Sequence, residues 1–409
     1  MSGEGRWTSP AREPRLDRRR LLAGALGAAA LGGVRAARPA SAEPLREGDL
    51  PPPGRSGLDH VVVVTMENRS FDHLLGWLPG ANGRQAGLTF RDRAGVAHAT
   101  YPLAPDFTGC GHPDPDHSYA GGRVAYNGGR CDGFLRAGGN DTYAIGYYTQ
   151  PDLPFLGQAA PAWTVCDNYF AALMGPTFPN RLYLHAARSD RTTNFPVPTG
   201  LPTIWDRLAA KGVRGRYYRR NFSVLALWGT RYARITRSYG EFLRDCRRGS
   251  LPSVAYLDPA FTLPVLGVGS DDHPPADIRA GETFLDDVYR AVTTSPAWPR
   301  TLLVVVFDEW GGFFDHVPPA RAPDVDRAHA LRGFRVPCLL VSPFARRGHV
   351  AHGLYDHASV LKLIEWRFGL APLTVRDAKA NNLATALDFS RSLLEAPAFD
   401  VPRVAAHGC

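Results

Sequence analysis

Leu302-Leu303-Val304-Val305-Val306-Phe307-Asp308-Glu309-Trp310-Gly311-Gly312 is the stretch that decides the fold class of this chain. Six apolar residues without polar alternation read as a strand buried on both faces, the kind found inside parallel sheets. Two carboxylates follow where the apolar run stops, and two glycines then turn the chain. His60-Val61-Val62-Val63-Val64-Thr65 repeats the plan and runs into Met66-Glu67-Asn68-Arg69-Ser70. Further short apolar runs occupy 163–166, 216–218, 254–257 and 336–341, and helical spacing appears at 179–189, 204–211, 281–294 and 357–368. Strands alternating with helices predict an α/β fold with a mostly parallel central sheet. Gly/Pro-rich stretches at 79–160 and 258–276 are long connections of the kind that build active sites. The Arg- and aromatic-rich segment 214–248 is a candidate cap.

The 409 residues carry 47 Lys+Arg against 39 Asp+Glu, with 44% hydrophobic and 21% charged residues, the profile of a globular protein. Of the formal charge of +8, +5 falls in residues 1–42, so the remainder has no nucleic-acid-binding balance. Only three lysines occur (Lys211, Lys362, Lys379), none after a Gly-rich turn, which excludes a Walker-type phosphate loop. No Gly-x-Ser-x-Gly elbow is present, which disfavours a serine esterase.

Residues 1–42 read as an export address. Asp17-Arg18-Arg19-Arg20-Leu21-Leu22 precedes a small-residue apolar run over 23–33, and Ala40-Ser41-Ala42 offers a cleavage site. The paired arginines mark a twin-arginine signal. The expected partner is the twin-arginine translocase, and the expected destination is extracellular, periplasmic or the cell wall. A single catalytic domain is expected over 43–400, with a tail at 401–409. Of the six cysteines, Cys110 and Cys131 flank a Gly/Pro-rich loop and are the best disulfide candidate, whereas Cys166 and Cys338 lie in apolar runs and read as buried thiols.

In an open parallel sheet the ligand site lies beyond the carboxyl ends of the strands. Two strand ends here deliver Glu67, Asn68, Asp308 and Glu309 to one edge. Neighbouring carboxylates repel unless a cation lies between them, and oxygen ligands favour a hard divalent metal such as calcium, magnesium or manganese. Met174-Gly175-Pro176-Thr177-Phe178-Pro179-Asn180-Arg181 opens a helix, placing Thr177 where free N–H groups favour a phosphate. A metal-coordinated hydroxyl at that position can act as a nucleophile, although a Thr at a helix start also reads as a plain cap. His117, His273 and His316 are the candidate donors and acids of a phosphate site; His357, at a helix start, reads as structural.

Thr-Met-Glu-Asn-Arg-Ser-Phe-Asp-His (65–73), Gly-Pro-Thr-x-Pro-Asn-Arg (175–181) and Asp-Glu-x-x-Gly-Phe-Phe-Asp-His-Val (308–317) are long and occur in this order. Through them the chain resembles the bacterial phosphoesterase family over nearly all of 57–390. That family includes non-haemolytic and phosphatidylcholine-preferring phospholipases C and secreted acid phosphatases of alkaline-phosphatase-like fold. The resemblance implies a three-layer α/β sandwich and a one-metal phosphoesterase. Glu67, Asn68, Thr177, Asp308 and Glu309 would gather around one divalent ion, calcium or another hard cation. Thr177 would attack phosphorus, assisted by His117 and His273, while Asn68, Asp132 and His316 would line the phosphate pocket. The expected activity is phospholipase C-like cleavage of a headgroup phosphodiester, with phospholipid at a membrane surface as substrate. A broad-specificity acid phosphatase and an inactive binding protein are the alternatives. Trp310 stands where the family suggests a small polar residue, which bears on the pocket rim. Tyr143, Tyr147, Tyr148, Trp77 and Trp310 are the aromatics available to a choline headgroup.

Overall fold

The computed structural model describes residues 46–262, 268–407 and 409. The signal read at 1–42 lies outside the described residues.

Eight strands form the main sheet. In chain order they are β1 (His60–Met66), β2 (Thr164–Cys166), β3 (Gly215–Arg219), β4 (Thr236–Ser238), β5 (Val254–Asp258), β6 (Thr301–Phe307), β7 (Cys338–Val341) and β8 (His349–Ala351). Their order across the sheet is β8-β2-β7-β6-β1-β5-β3-β4. Every neighbouring pair is parallel except those made by β7, which runs against both β6 and β2. All six expected apolar runs are strands of this sheet. Val61 to Val64 and Leu302 to Phe307 are buried along their whole length, as a sheet covered on both faces requires.

The helices that pack on the sheet are α1 (Thr177–Ala186), α2 (Ile204–Ala210), α3 (Tyr239–Arg247), α4 (Ile278–Thr293) and α5 (His357–Phe368). The connection from β2 to β3 through α1 and α2 crosses the sheet one way. Those from β4 to β5 through α3, and from β5 to β6 through α4, cross it the other way. With right-handed crossovers, opposite directions put the two helix sets on opposite faces, giving three layers. α4 begins at Ile278, three residues before the expected start, because the Asp277 side chain accepts from the Arg279 N–H and caps it.

Two expectations change. Segment 214–248 is no separate cap: it supplies β3, β4 and α3, the edge of the main sheet. Cys110 is bonded to Cys409, not to Cys131. Cys131 turns inward instead, into an apolar cluster with Phe134, Trp310 and Phe314, and burial pushes its thiol up to about 12. Nearness in sequence misled here, because the C-terminal tail comes back to the loop that carries Cys110. Cys166 and Cys338 are buried free thiols, as expected.

Candidate active site

The sheet register brings the acids together. Met66 lies opposite Phe307, so Glu67 and Asp308 leave adjacent parallel strands side by side. The Asp308 N–H still donates to the Met66 carbonyl at 3.0 Å, prolonging the ladder. Asn68 then adopts a left-handed φ of 60°, which Asn tolerates better than most residues. Its N–H donates to Asp308 Oδ1 at 3.2 Å. Gly311, at φ 62°, passes so close that a Cβ would meet the Asn68 carbonyl oxygen at 2.0 Å. Only glycine fits, which explains the turn after Trp310.

The helix α1 begins at Thr177; Pro176 in the N-cap position offers no side-chain cap, and Asn194 accepts from the Phe178 N–H at 2.7 Å instead. Asn180 clasps the preceding turn: its Oδ1 accepts from Leu173 N–H, and its Nδ2 donates to the carbonyls of Leu173, Gly175 and Pro176. Arg181, one turn beyond Thr177 and so on the same helix face, reaches the acids. Its Nη2 donates to Glu67 at 3.0 Å, its Nη1 to Asp258 at 2.8 Å and its Nε to Asp308 at 3.1 Å. Thr177 is thereby anchored to the strand ends through its own helix.

Three buried carboxylates, Glu67, Asp258 and Asp308, thus share one buried guanidinium, and the buried Glu309 follows Asp308 in the chain. Burial, then the neighbouring Asp308, raises Glu67 well above the usual carboxylate range, and the same two causes raise Glu309. Burial pushes Asp258 up to about 7. Burial opposes the charge on Arg181, but Asp258, Asp308 and Glu67 outweigh it and hold the guanidinium above its ordinary value. Asn68 Oδ1 and Glu309 Oε1 are buried and have no hydrogen-bond partner. Excess negative charge and two unpaired oxygens suit a hard divalent cation, which Glu67, Asn68, Asp308 and Glu309 would hold.

Histidines close the site. His117 Nδ1 bonds the Pro115 carbonyl at 2.7 Å, and its Nε2 lies 3.4 Å from Asn68 Nδ2 and 3.8 Å from Glu309 Oε1. His273 Nδ1 bonds the Pro274 carbonyl, and its ring meets that of His117 edge-on at 5.8 Å. In both, Nδ1 donates, since a carbonyl oxygen only accepts, and Nε2 faces a carboxylate, Glu309 for His117 and Asp114 for His273. Asp114 joins them, with ligand atoms of the three residues within 4.8 Å of one another. A cleft of about 640 Å³ opens here, lined by Asp114, His117, Pro176 and Asn194 among others. His357 is structural, as read from its position: Tyr169 donates to Nδ1, and Nε2–H bonds the Asp308 carbonyl at 2.6 Å, bracing that strand end.

The structure does not join Asp132 and His316 to this set. Asp132 accepts from Asn127 and Arg136. His316 is held by Asp72 through Nδ1 and by Asn82 through Nε2. The cause is Arg335, a buried guanidinium that draws Asp72 and Asp315 to itself and takes the adjoining His316 along. Trp310 does not reach the pocket rim either: it is fully buried against Phe334. Tyr143, Tyr147 and Tyr148 are buried, and Trp77 donates to the Leu74 carbonyl. Sequence reading missed Arg181, Asp258 and Asp114 as participants. Asp258 ends a buried strand as Phe307-Asp308 does, and Arg181 stands at i+4 from Thr177, so both signals were present.

A family model for the Phosphoesterase family matches residues 58–371. Phospholipase C B of Mycobacterium tuberculosis is 33% identical over 83% of this chain and 80% of its own. Non-specific phospholipase C6 of Arabidopsis thaliana is 31% identical over 80% and 71%. Non-hemolytic phospholipase C of Pseudomonas aeruginosa is 30% identical over 81% and 57%. Among solved structures, a protein in the alkaline phosphatase superfamily from Vibrio parahaemolyticus is similar over 78% of this chain and 68% of that one, with TM-score 0.41 and 9% identity. The matched span begins just before β1, ends just after α5 and so contains every residue of the acid cluster, Thr177, His117 and His273; the chain belongs to the Phosphoesterase family.

Proposed function

We propose that this chain is an exported phospholipase C that cleaves the phosphodiester between diacylglycerol and a phosphorylated headgroup, with Thr177 as nucleophile and one divalent metal ion. Membership of the family makes it a hydrolase of phosphoester bonds. Relatives named phospholipase C, at 30% to 33% identity, support the narrower activity. The observation that carries the reading is the helix that starts at Thr177 and binds three strand-end carboxylates through Arg181.

In this reading the Thr177 N–H at the start of α1, with the helix dipole, holds a phosphate oxygen, the next N–H, of Phe178, being taken by Asn194. The Thr177 hydroxyl attacks phosphorus, its proton passing to a base in the cleft, and the diacylglycerol oxygen leaves as it is protonated. His117 and His273 present their Nε2 atoms for these proton movements. Water then cleaves the phosphothreonine, regenerating the hydroxyl. A bound cation, held by Glu67, Asn68, Asp308 and Glu309, supplies Lewis-acid stabilisation of developing charge. Arg181 keeps the carboxylates gathered and limits their repulsion. Export through the twin-arginine translocase belongs to the same proposal, supported by Arg18-Arg19 and Ala40-Ser41-Ala42. Lysine at both arginines is expected to block it.

The test compares hydrolysis of p-nitrophenyl phosphorylcholine and p-nitrophenyl phosphate, with Thr177→Ala as blank. Preference for the choline diester supports the proposal. Preference for the monoester makes the chain a phosphatase, and no Thr177-dependent turnover of either overturns the nucleophile.

A further inference from the structure

Phe195 and Phe222 are the most exposed large hydrophobic side chains among the described residues, at 65% and 59%. They lie on different loops, yet the loops are joined. The Thr199 N–H donates to the Leu227 carbonyl at 2.7 Å, and Trp228 Nε1 donates to the Leu201 carbonyl at 2.8 Å.

Both loops are also fastened to the catalytic end of the sheet. Asn194, next to Phe195, lines the cleft and accepts from the N–H of Phe178, the residue after Thr177. Asn221, next to Phe222, exchanges two hydrogen bonds with the Phe261 backbone, at 2.9 and 3.0 Å. The Phe261 ring in turn lies 5.3 Å from the Arg181 guanidinium. Phe195 therefore stands beside the cleft, and Phe222 on a loop tied to the segment next to Arg181. Pro196, Val197 and Pro198 beside Phe195 are exposed as well, and Arg191 holds that loop in shape through the carbonyls of Phe195 and Val197.

The exposed charges on the second loop, Arg219 and Arg220, are basic. Residues 219–235 contain four arginines and no carboxylate; Arg231 is exposed too but pairs with Asp206 at 3.0 Å. Exposed aromatics bordered by arginines match the interfacial zone of a bilayer, where rings sit among headgroups and guanidinium groups meet lipid phosphates.

We propose that the loops at 192–198 and 219–223 form a docking surface for a phospholipid bilayer, with Phe195 and Phe222 entering the headgroup region. The proposal rests on the phospholipase reading and adds how the enzyme addresses its substrate. Docked this way, the cleft mouth faces the membrane plane, so a headgroup phosphate reaches Thr177 without the lipid leaving the bilayer.

The test uses the full chain and its Phe195→Ser/Phe222→Ser double variant. Two quantities are read: co-sedimentation with phosphatidylcholine–phosphatidylglycerol vesicles, and turnover of soluble p-nitrophenyl phosphorylcholine. Loss of about tenfold in vesicle affinity per phenylalanine, with turnover of the soluble ester retained, supports the surface. Unchanged vesicle affinity of the double variant overturns it, as does a parent chain that binds no vesicles, which would hand this face to a protein partner. A Phe195→Trp chain gives an independent reading: its emission shifts to the blue on vesicles if the loop inserts, and an unchanged spectrum overturns the proposal. Vesicle binding through these loops without turnover of any choline ester would sink the phospholipase activity while leaving the docking surface standing.

Discussion

Arg181 and Arg376 are both buried guanidinium groups set among aspartates, yet their surroundings differ in charge. Arg376 bonds Asp356 and Asp324, and Arg332 also bonds Asp356, so two cations face two anions. Tyr183 donates to Asp324 and completes the network. Burial opposes ionisation of Asp356, but Arg376 and Arg332 overcome it and hold the carboxyl below its ordinary value. Arg181 alone bonds three carboxylates, Glu67, Asp258 and Asp308, and Glu67 and the adjoining Glu309 are raised well above the usual range. The first cluster is complete and structural. The second is short of positive charge, which is what a site for a divalent ion requires.

Thr177→Ala should have the largest effect, lowering turnover on the order of a thousandfold or more without changing the unfolding midpoint. Activity retained in that variant would separate Thr177 from the chemistry.

Asp308→Asn is expected next, with divalent metal content falling in elemental analysis and activity with it. Asp356→Asn should leave metal content unchanged. Equal metal content in both variants would erase the distinction between the two clusters.

For stability the ranking reverses. Arg376→Met strands paired aspartates and should cost about 3–5 kcal/mol in urea unfolding. Arg181→Met also leaves carboxylates stranded, but added calcium should recover part of that loss, because the cation takes over the missing charge. Calcium should do nothing for Arg376→Met.

The smallest expected effect is on the pH dependence of the metal-free protein. Asp258, pushed up to about 7 by burial, keeps a proton in the folded chain that the unfolded chain releases near 3.8. Folded stability from this group therefore falls as pH rises from 3.8 toward about 7. Asp356 works the other way: its contribution is present above 3.8 and is lost as pH falls below that value. Asp258→Asn should flatten the neutral side of the stability profile, and Asp356→Asn the acid side. Identical profiles for the two variants would contradict the assignment of opposite charge balance.

The rim loops extend the contrast to the surface. The helix faces around Arg376 are covered by neighbouring chain, whereas Phe195 and Phe222 keep their rings in solvent, with the exposed Arg219 and Arg220 close in sequence to Phe222.

Strand positions, helix positions and the Glu67-Asn68, Thr177 and Asp308-Glu309 motifs were legible because they are local. An unbroken Val/Leu run states that both faces are buried, and a carboxylate at its end states which edge carries chemistry. The tertiary structure decided what depends on distant partners. Cys110 found Cys409 rather than Cys131 because the tail comes back to the loop that carries Cys110. His316 left the phosphate site because Arg335, buried elsewhere in the chain, claimed its neighbours, and Trp310 left the rim because Phe334 offered a dry contact. Arg181 acquired its role only when three strand ends met in register. By itself the sequence determined the sheet and the residues that chemistry needs. Which charges are compensated was set by packing, since a buried ion's partner is chosen by three-dimensional proximity and not by spacing along the chain.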